Sequence, residues 1–243
     1  MSKKISLRQF LMKTGRFERV SDCVHEIREG KITVNGKKIT NPNHFFSIKN
    51  PLIRIENEKT RKVAMHYFLL NKPAGYVSQK SENEDTIYDL LKTSGMDDKI
   101  INSLFAVGRL DKDTEGLMIM TNDGALSNIV TDPKNEIYKR YHAVLENPLD
   151  YESIKTLEKG IFIETDEGKY KTKKCKIRIS GKKEAYISIM EGKKRQIRKM
   201  FEAIGNKVVY LKRVSIGGLQ LGKLNSGEIR QITKEEIMEK LEF

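Results

Sequence analysis

A charged stretch without apolar residues, Glu56 to Lys62, separates two parts of the chain that have different sequence patterns. Before it, apolar residues recur at helical spacing and are followed by two short β-type runs. After it, from about Ala64, apolar strand-like runs alternate with shorter helical segments. A charged, weakly apolar segment between two patterned regions is typical of a linker. We therefore expect two domains, residues 1–60 and 64–243.

The first part has the pattern of two short helices and a hairpin. One helical face contains Leu7, Phe10 and Leu11, and a second contains Val20, Val24 and Ile27. Ser21 is a plausible N-cap for the second helix, and Gly30 marks its end. Two β-type runs then flank Asn35-Gly36, which favours a type I′ turn. This predicts a compact module that carries many Lys and Arg residues.

The second part predicts an α+β domain with a mixed, largely antiparallel sheet. A continuous apolar run such as Leu117–Met120 is typical of a strand buried on both faces. The expected strands are His66–Leu70, Leu117–Met120, Tyr138–Leu145 and Ala185–Met190, and the expected helices are Thr86–Leu91, with Thr86 as its cap, and Arg195–Ile204.

The chain carries 46 Lys and Arg against 33 Asp and Glu, a formal charge of +13, and the charge is uneven. Residues 1–62 hold 15 basic and 6 acidic residues, and residues 169–199 hold 13 and 2. Basic zones of this kind attract polyphosphates through counterion release. A solvated, Lys-rich surface is the alternative explanation. Charge alone thus favours a nucleic acid partner without fixing one.

Other features limit the cellular setting. Cys23 and Cys175 are the two cysteines, and they form no CxxC motif, which indicates free thiols in a reducing cytoplasm. No stretch approaches the ~20 apolar residues of a membrane span. The basic N-terminus has no apolar run of the secretory type. We expect a cytoplasmic monomer that does not bind membranes.

The acidic stretch from Gly108 to Leu117 lies between two apolar runs, and several explanations compete for it. Turns favour Asp and Gly, so the stretch could be structural. Asp111, Asp113 and Glu115 copy the first half of an EF-hand, but the twelfth position is Asn122 where calcium requires Glu, and we reject a calcium loop. The same carboxylates could hold magnesium in a nuclease. Asp111 could instead be a catalytic carboxylate that acts at an anomeric carbon.

Several segments resemble known families. The segments Ile27-Arg28-Glu29-Gly30 and Lys31 to Lys37, with the preceding residues from Arg16 to Ser21, resemble the S4 RNA-binding domain. Gly108-Arg109-Leu110-Asp111 with Thr114 and Gly116-Leu117 resembles the catalytic motif of the RsuA-like ribosomal RNA pseudouridine synthases. Further matching segments follow that family in order: Leu70 to Tyr76, Lys139-Arg140-Tyr141, Glu191 to Phe201, and Gly205 to Gly218.

The resemblance implies roles for individual residues. Asp111 would attack the uridine and let its glycosidic bond break, Tyr141 would stack on the flipped base and help manage the proton at carbon 5, and Arg198 would pair with Asp111 and hold it ionised. A base in a stem has to leave the helix to be reached, which suits an aromatic side chain in a pocket. The implied RNA-binding residues are Arg109, Lys193, Lys194 and Arg195 around the site, and Arg16, Arg28, Lys31, Lys37 and Lys38 in the S4 module.

The resemblance thus implies an enzyme that isomerises uridine to pseudouridine in ribosomal RNA or in a ribosomal assembly intermediate. The reaction is an isomerisation, so it would require no cofactor and no metal. The stretch Gly205 to Val209 favours 16S over 23S RNA as the target. The alternative function is a non-catalytic S4-domain RNA-binding or ribosome-assembly factor, in which the acidic stretch is only a turn.

Overall fold

The computed structural model describes residues 4–49, 51–56, 58–60 and 63–241. The helices are α1 Leu7–Lys13, α2 Val20–Arg28, α3 Ile87–Thr93, α4 Asp98–Ser103, α5 Gly124–Thr131, α6 Tyr151–Glu158, α7 Gln196–Glu202 and α8 Lys234–Leu241, with a 3-10 turn at Pro133–Asn135. The strands are β1 Lys4–Ser6, β2 Ile32–Val34, β3 Lys37–Ile39, β4 Phe45–Ser47, β5 Ile53–Ile55, β6 Glu58–Lys59, β7 Tyr67–Lys72, β8 Phe105–Ala106, β9 Glu115–Thr121, β10 Lys139–Leu145, β11 Phe162–Thr165, β12 Gly168–Lys171, β13 Lys176–Gly181, β14 Glu184–Ile189, β15 Val208–Ile216, β16 Leu219–Gln220 and β17 Ile229–Gln231.

The chain divides into two compact units. The first contains the described residues of Met1–His66, Leu91–Phe105 and Thr121–Asp123, and the second contains Tyr67–Leu90, Ala106–Met120 and the described residues of Gly124–Phe243. The predicted division into residues 1–60 and 64–243 stays a prediction. None of the described helices is long and apolar enough to cross a membrane.

The first unit contains the two expected helices and the expected hairpin. Strands β2 and β3 pair antiparallel across Asn35-Gly36, and both turn residues have positive φ, as a type I′ turn requires. The sheet has the order β3-β2-β5-β6. Buried side chains of α1, α2 and the strands, among them Leu11, Ile27 and Ile32, form the core of this unit.

Two local expectations for the first unit are wrong. Helix α2 begins at Val20 after Arg19, and no side chain caps it, so Ser21 lies inside the first turn. The predicted linker is also partly structured, because Glu58 and Lys59 form β6 and pair with β5. The backbone hydrogen bonds of this short strand outweigh its charged composition. The linker residues Asn57, Arg61 and Lys62 lie outside the described residues.

The second unit is built on a mixed, largely antiparallel sheet with the order β13-β14-β10-β15-β9-β7-β17, which confirms the predicted fold class. Strand β15 pairs parallel with β9 and antiparallel with β10. Strand β9 is buried along nearly its whole length, as its apolar run predicts. The core of this unit includes Leu117 and Ile119 from β9 and Leu126 and Val130 from α5.

Candidate active site

The acidic loop between Val107 and β9 is held in place from both ends. At its start, the Ser78 hydroxyl donates to the carbonyl of Leu110 at 2.7 Å and accepts the Leu110 N–H at 3.0 Å. Within the loop, the N–H of Thr114 donates to the carbonyl of Asp111 at 3.0 Å, which closes a turn. Because the backbone on both sides of Asp111 is fixed in this way, the position of its carboxylate is set by the fold.

Lys72, at the end of β7, is the second support of the loop. Its side chain is 0% exposed, and its ammonium donates to the carbonyls of Pro73 at 2.8 Å, Thr114 at 2.8 Å and Lys112 at 3.3 Å. Burial lowers the pKa of Lys72 to about 8, and the carboxylate of Asp113 acts in the opposite direction. An ammonium has three donors, and here each one meets a carbonyl.

Asp111 is half-buried and lines a cleft of about 630 Å³ within the second unit. Burial raises the pKa of its carboxyl above the ordinary value, Arg195 lowers it, and Asp113 raises it. Arg198 and Arg109 also lower it. Guanidinium groups therefore act on this carboxylate through their charge, and no ion pair of Asp111 is found among the described residues.

Arg198 is buried at the first turns of α7, and its direct partner differs from the expected one. Its guanidinium contacts the carboxylate of Asp113 at 3.2 Å and donates to the carbonyls of Asp113 at 3.1 Å and Val208 at 2.9 Å. The expected direct pairing with Asp111 is therefore replaced by pairing with Asp113, two residues along the loop. Arg198 thus holds the loop and acts on Asp111 through its charge.

Tyr141 brings an aromatic ring to the same cleft. It lies on β10, where it is 8% exposed, and its cross-strand neighbours are Ile187 on β14 and Arg213 on β15. The cleft is lined by Asp111, Tyr141 and Arg198 together with apolar side chains such as Ile197 and Leu211. An aromatic ring and a carboxylate in one partly apolar cleft can accept an unstacked base.

The other residues expected to bind RNA around the site lie at the cleft, and three of them are paired with acidic groups. Arg195 contacts Asp113 at 3.1 Å, Lys193 contacts Glu167 at 2.9 Å, and Lys194 contacts Asp166 at 3.0 Å. Arg109 is exposed and lines the same cleft. These ion pairs involve exposed carboxylates, and such pairs contribute little free energy to stability.

The expected RNA-binding residues of the first unit are all exposed: Arg16, Arg28, Lys31, Lys37 and Lys38. Arg16 contacts Glu58 at 2.9 Å, and Lys31 contacts Glu26 at 2.8 Å. Lys37 and Lys38 lie on β3 of the hairpin, next to the type I′ turn.

Sequence reasoning assigned no role to four residues of the site: Lys72, Ser78, Lys139 and Arg213. Lys72 lies in a segment that carried the family resemblance, and its position directly before Pro73 at the end of an apolar strand was the available signal. Lys139 and Arg213 lie beside motif residues and line the cleft. Arg213 is 4% exposed, and a buried arginine of this kind cannot be recognised from composition.

The remaining carboxylates of the loop do not converge on one point. Asp113 faces Arg195 and Arg198, whereas Glu115 accepts a hydrogen bond from the hydroxyl of Tyr210 at 2.9 Å. Within the described ranges, no group of three His, Cys, Asp or Glu side chains is arranged to hold a metal ion.

Comparisons with known proteins agree on one family. The family model of RNA pseudouridylate synthases matches residues 66–203. The ribosomal large subunit pseudouridine synthase B of Bacillus subtilis is 36% identical over 220 residues, covering 87% of this chain and 85% of the relative. The ribosomal small subunit pseudouridine synthase A of Escherichia coli is 34% identical over 214 residues, covering 87% and 90%.

A solved structure extends the similarity over nearly the whole chain. The crystal structure of a pseudouridylate synthase matches with a TM-score of 0.69 and 33% identity, and the match covers 98% of this chain and 99% of the other. The acidic loop, Tyr141 and Arg198 all fall inside the residues that the family model matches. The chain therefore belongs to the RNA pseudouridylate synthase family and is an isomerase.

Proposed function

We propose that this enzyme converts a uridine of ribosomal RNA to pseudouridine and that Asp111 is its catalytic carboxylate. The observation that carries the proposal is the joint presence of Asp111, Tyr141 and Arg198 in one cleft. Relatives named as ribosomal pseudouridine synthases support ribosomal RNA as the substrate. A binding protein would have no need for a half-buried carboxylate beside an aromatic ring.

Each residue of the site has its own role in the proposed reaction. The target uridine leaves its helix, and Tyr141 stacks on the extruded base. The carboxylate of Asp111 attacks C1′, and a bond between them forms as the bond between N1 and C1′ breaks. The base then turns, and carbon 5 bonds to C1′ as the bond to Asp111 breaks. Carbon 5 loses its proton, and N1 gains one. Arg198 and Lys72 hold the loop so that Asp111 does not have to be reoriented during the reaction.

We further propose that residues 1–60, which belong to the first unit, form an S4 RNA-binding domain. Its exposed basic side chains on α2 and the hairpin suit contacts with phosphates, which provide affinity without reading sequence. Arg109, Lys193, Lys194 and Arg195 would contact the RNA around the cleft. The proposal includes a monomer that acts in the cytoplasm, where ribosomal RNA and its assembly intermediates are found.

The choice of subunit belongs to the same proposal, with 16S RNA as the expected target. The stretch from Gly205 to Val209, which favoured 16S RNA, contains Asn206. The side chain of Asn206 donates to the carbonyl of Asn147 at 2.9 Å and accepts the N–H of Asn147 at 3.1 Å. These contacts give Asn206 a structural role that does not depend on the RNA target. The relatives include enzymes named for each subunit. Mapping of both RNAs therefore decides this point.

The test combines mapping with one substitution. Carbodiimide-induced reverse-transcription stops are mapped in 16S and 23S RNA from cells with and without the protein, and we expect one stop in 16S RNA that depends on it. In vitro, Asp111→Asn is expected to bind that RNA with the wild-type affinity and to form no pseudouridine in single-turnover assays. Normal turnover by Asp111→Asn would remove Asp111 from the mechanism.

The absence of any dependent stop in either RNA would overturn the ribosomal substrate. Asp85→Asn is a control with the same change in size and charge, at an exposed carboxylate of the second unit that does not line the cleft, and it is expected to retain wild-type turnover.

A further inference from the structure

Two cations in the catalytic cleft have no acidic partner in the described part of the chain. Arg213 is 4% exposed on β15, its Nε donates to the carbonyl of Leu117 at 2.7 Å, and its Nη2 is buried without a hydrogen-bond partner. Lys139 is half-buried on β10, and no hydrogen bond or ion pair of its ammonium is found within the described ranges. Both residues line the cleft that contains Asp111.

The sheet register brings these cations next to the aromatic ring of the site. Arg213 is the cross-strand neighbour of Tyr141, and Lys139 precedes Tyr141 by two residues on the same strand. Residues two apart on a strand project from the same face. The intervening Arg140 stacks on Tyr186 instead, with its guanidinium 4.4 Å from the ring centre, and it does not line the cleft.

An unpaired buried donor is costly, so this arrangement calls for a ligand. Leaving a buried charged donor without an acceptor forfeits the hydration that it would have in water. Burial lowers the pKa of Lys139 to about 8, and the charge of the Arg213 guanidinium acts in the same direction. A ligand with acceptor oxygens or negative charge would satisfy both groups.

We propose that Arg213 and Lys139 form a subsite that contacts the carbonyl oxygens of the extruded uracil and stabilises negative charge on that ring. This inference rests on the proposed function. When the bond between N1 and C1′ breaks, its electron pair stays with uracil, and the charge spreads over O2 and O4. The carboxylate of Asp111 takes the place of uracil at C1′. Carbon 5 then bonds to C1′ as the bond to Asp111 breaks, carbon 5 releases its proton, and N1 takes up a proton from water.

A phosphate is the other anion that could occupy the subsite, but the placement of charges favours the base. The exposed cations of the cleft, such as Arg109, Lys194 and Arg195, are accessible to the backbone of a bound RNA. Arg213 is buried, and an extruded base reaches further into a cleft than the phosphates that flank it. Donors that face developing charge in a buried site are also where electrostatic stabilisation of a reaction is largest.

Binding of small ligands to the full-length enzyme tests the subsite directly. The probes are 5-nitrouracil, which is an anion at neutral pH, thymine, which is neutral and substituted at the same carbon, and inorganic phosphate. We expect the wild-type enzyme to bind 5-nitrouracil at least about 10-fold more tightly than thymine, and phosphate not to displace it. Lys139→Gln and Arg213→Gln should abolish this preference.

Arg140→Gln is the matched control, because it removes the same charge from the same strand on the other face. It should keep the wild-type preference. Arg213→Gln also loses the hydrogen bond to Leu117, so its fold is checked by thermal unfolding, and Lys139→Gln tests the subsite even if Arg213→Gln does not fold. Equal wild-type affinities for the two bases, displacement by phosphate, or an intact preference in Lys139→Gln would each overturn the proposal.

The catalytic consequence is measured separately on RNA. Arg213→Gln or Lys139→Gln should lower the single-turnover rate of pseudouridine formation about 100-fold, as loss of one oxyanion donor does in other enzymes, with little change in RNA affinity. A wild-type enzyme that forms no pseudouridine in ribosomal RNA would refute the proposed function, whereas wild-type product with unimpaired Lys139→Gln would refute the subsite alone.

Discussion

At the scale of single residues, the ionisation of Asp111 results from opposing influences. Burial raises the pKa of its carboxyl, the guanidinium of Arg195 lowers it, and the carboxylate of Asp113 raises it. Arg195 and Asp113 also contact each other at 3.1 Å, so each one moderates the effect of the other on Asp111. The pKa of the proposed nucleophile thus depends on burial, which raises it, and on the charges of neighbouring side chains, which act in both directions.

This balance predicts opposite pH shifts for two substitutions. In the proposed mechanism the attacking carboxylate has to be ionised, so we expect the rate to rise with pH through the pKa of Asp111, which burial raises above its ordinary value. Arg195→Gln removes the main lowering influence and should move this acidic limb to higher pH. Asp113→Asn removes a raising influence and should move it to lower pH. The measurement is the pH profile of single-turnover pseudouridine formation.

Lys194→Gln serves as the control, because it removes a neighbouring exposed cation that pairs with Asp166. Its profile should coincide with that of the wild type. Shifts of Arg195→Gln and Asp113→Asn in the same direction would contradict the assignment of the limb to Asp111.

At the scale of secondary-structure elements, the parallel contact between β9 and β15 depends on Gly116. Its φ is +111°, and a Cβ at this position would lie 2.2 Å from the carbonyl oxygen of Arg213. Backbone atoms of a central strand cannot move away as a flexible side chain can. Gly116 therefore sets the distance between the strand that follows the acidic loop and the strand that carries Arg213.

We predict that Gly116→Ala destabilises the protein far more than a matched glycine substitution. Gly168 has a similar φ of +103° and open space around it. Gly168→Ala should therefore lower the free energy of unfolding only through backbone strain, by about 1–2 kcal/mol. Gly116→Ala adds a clash with the backbone and should exceed about 4 kcal/mol. Urea unfolding of both variants gives the two free energies, and equal losses would show that the strands can separate to accommodate the Cβ.

Elements with a strong local pattern were predictable from the sequence. The hairpin at Asn35-Gly36 follows from two residues that tolerate positive φ, and β9 follows from an apolar run too long for an exposed strand. The N-cap of α2 was not predictable. The hydrogen bonds that place the N-cap at Arg19 and not at Ser21 depend on where the preceding chain enters the helix.

The candidate site was predictable in its residue types and less so in its contacts. Asp111, Tyr141 and Arg198 were found through motifs, and they line one cleft. The partner of Arg198 is Asp113, because a guanidinium selects among neighbouring carboxylates by geometry that sequence spacing does not encode. The role of Lys72 could not be predicted for the same reason. Its three carbonyl partners belong to residues that lie 1, 40 and 42 positions away along the chain.

At the scale of the whole molecule, the net charge of +13 is not equally available to RNA. Lys31, Lys193 and Lys194 each face a carboxylate at 3.0 Å or less. Lys37 and Lys38 are exposed on the hairpin, and no ion pair of either is found in the described residues. A phosphate displaces no internal partner when it approaches these two lysines.

The unpaired hairpin lysines should therefore account for more of the salt dependence of RNA binding than Lys31 does. Each phosphate contact contributes about 0.7–0.9 to the slope of log affinity against log salt concentration. The double variant Lys37→Gln/Lys38→Gln should flatten this slope by up to about 1.5.

Lys31→Gln is the control, because it removes one charge from the same unit, and Lys31 is paired with Glu26 at 2.8 Å. It should change the slope by clearly less than half as much as the double variant does. Filter binding of ribosomal RNA between low and physiological salt measures both slopes. An unchanged slope for the double variant would mean that the two hairpin lysines do not contact RNA, and it would contradict their proposed role.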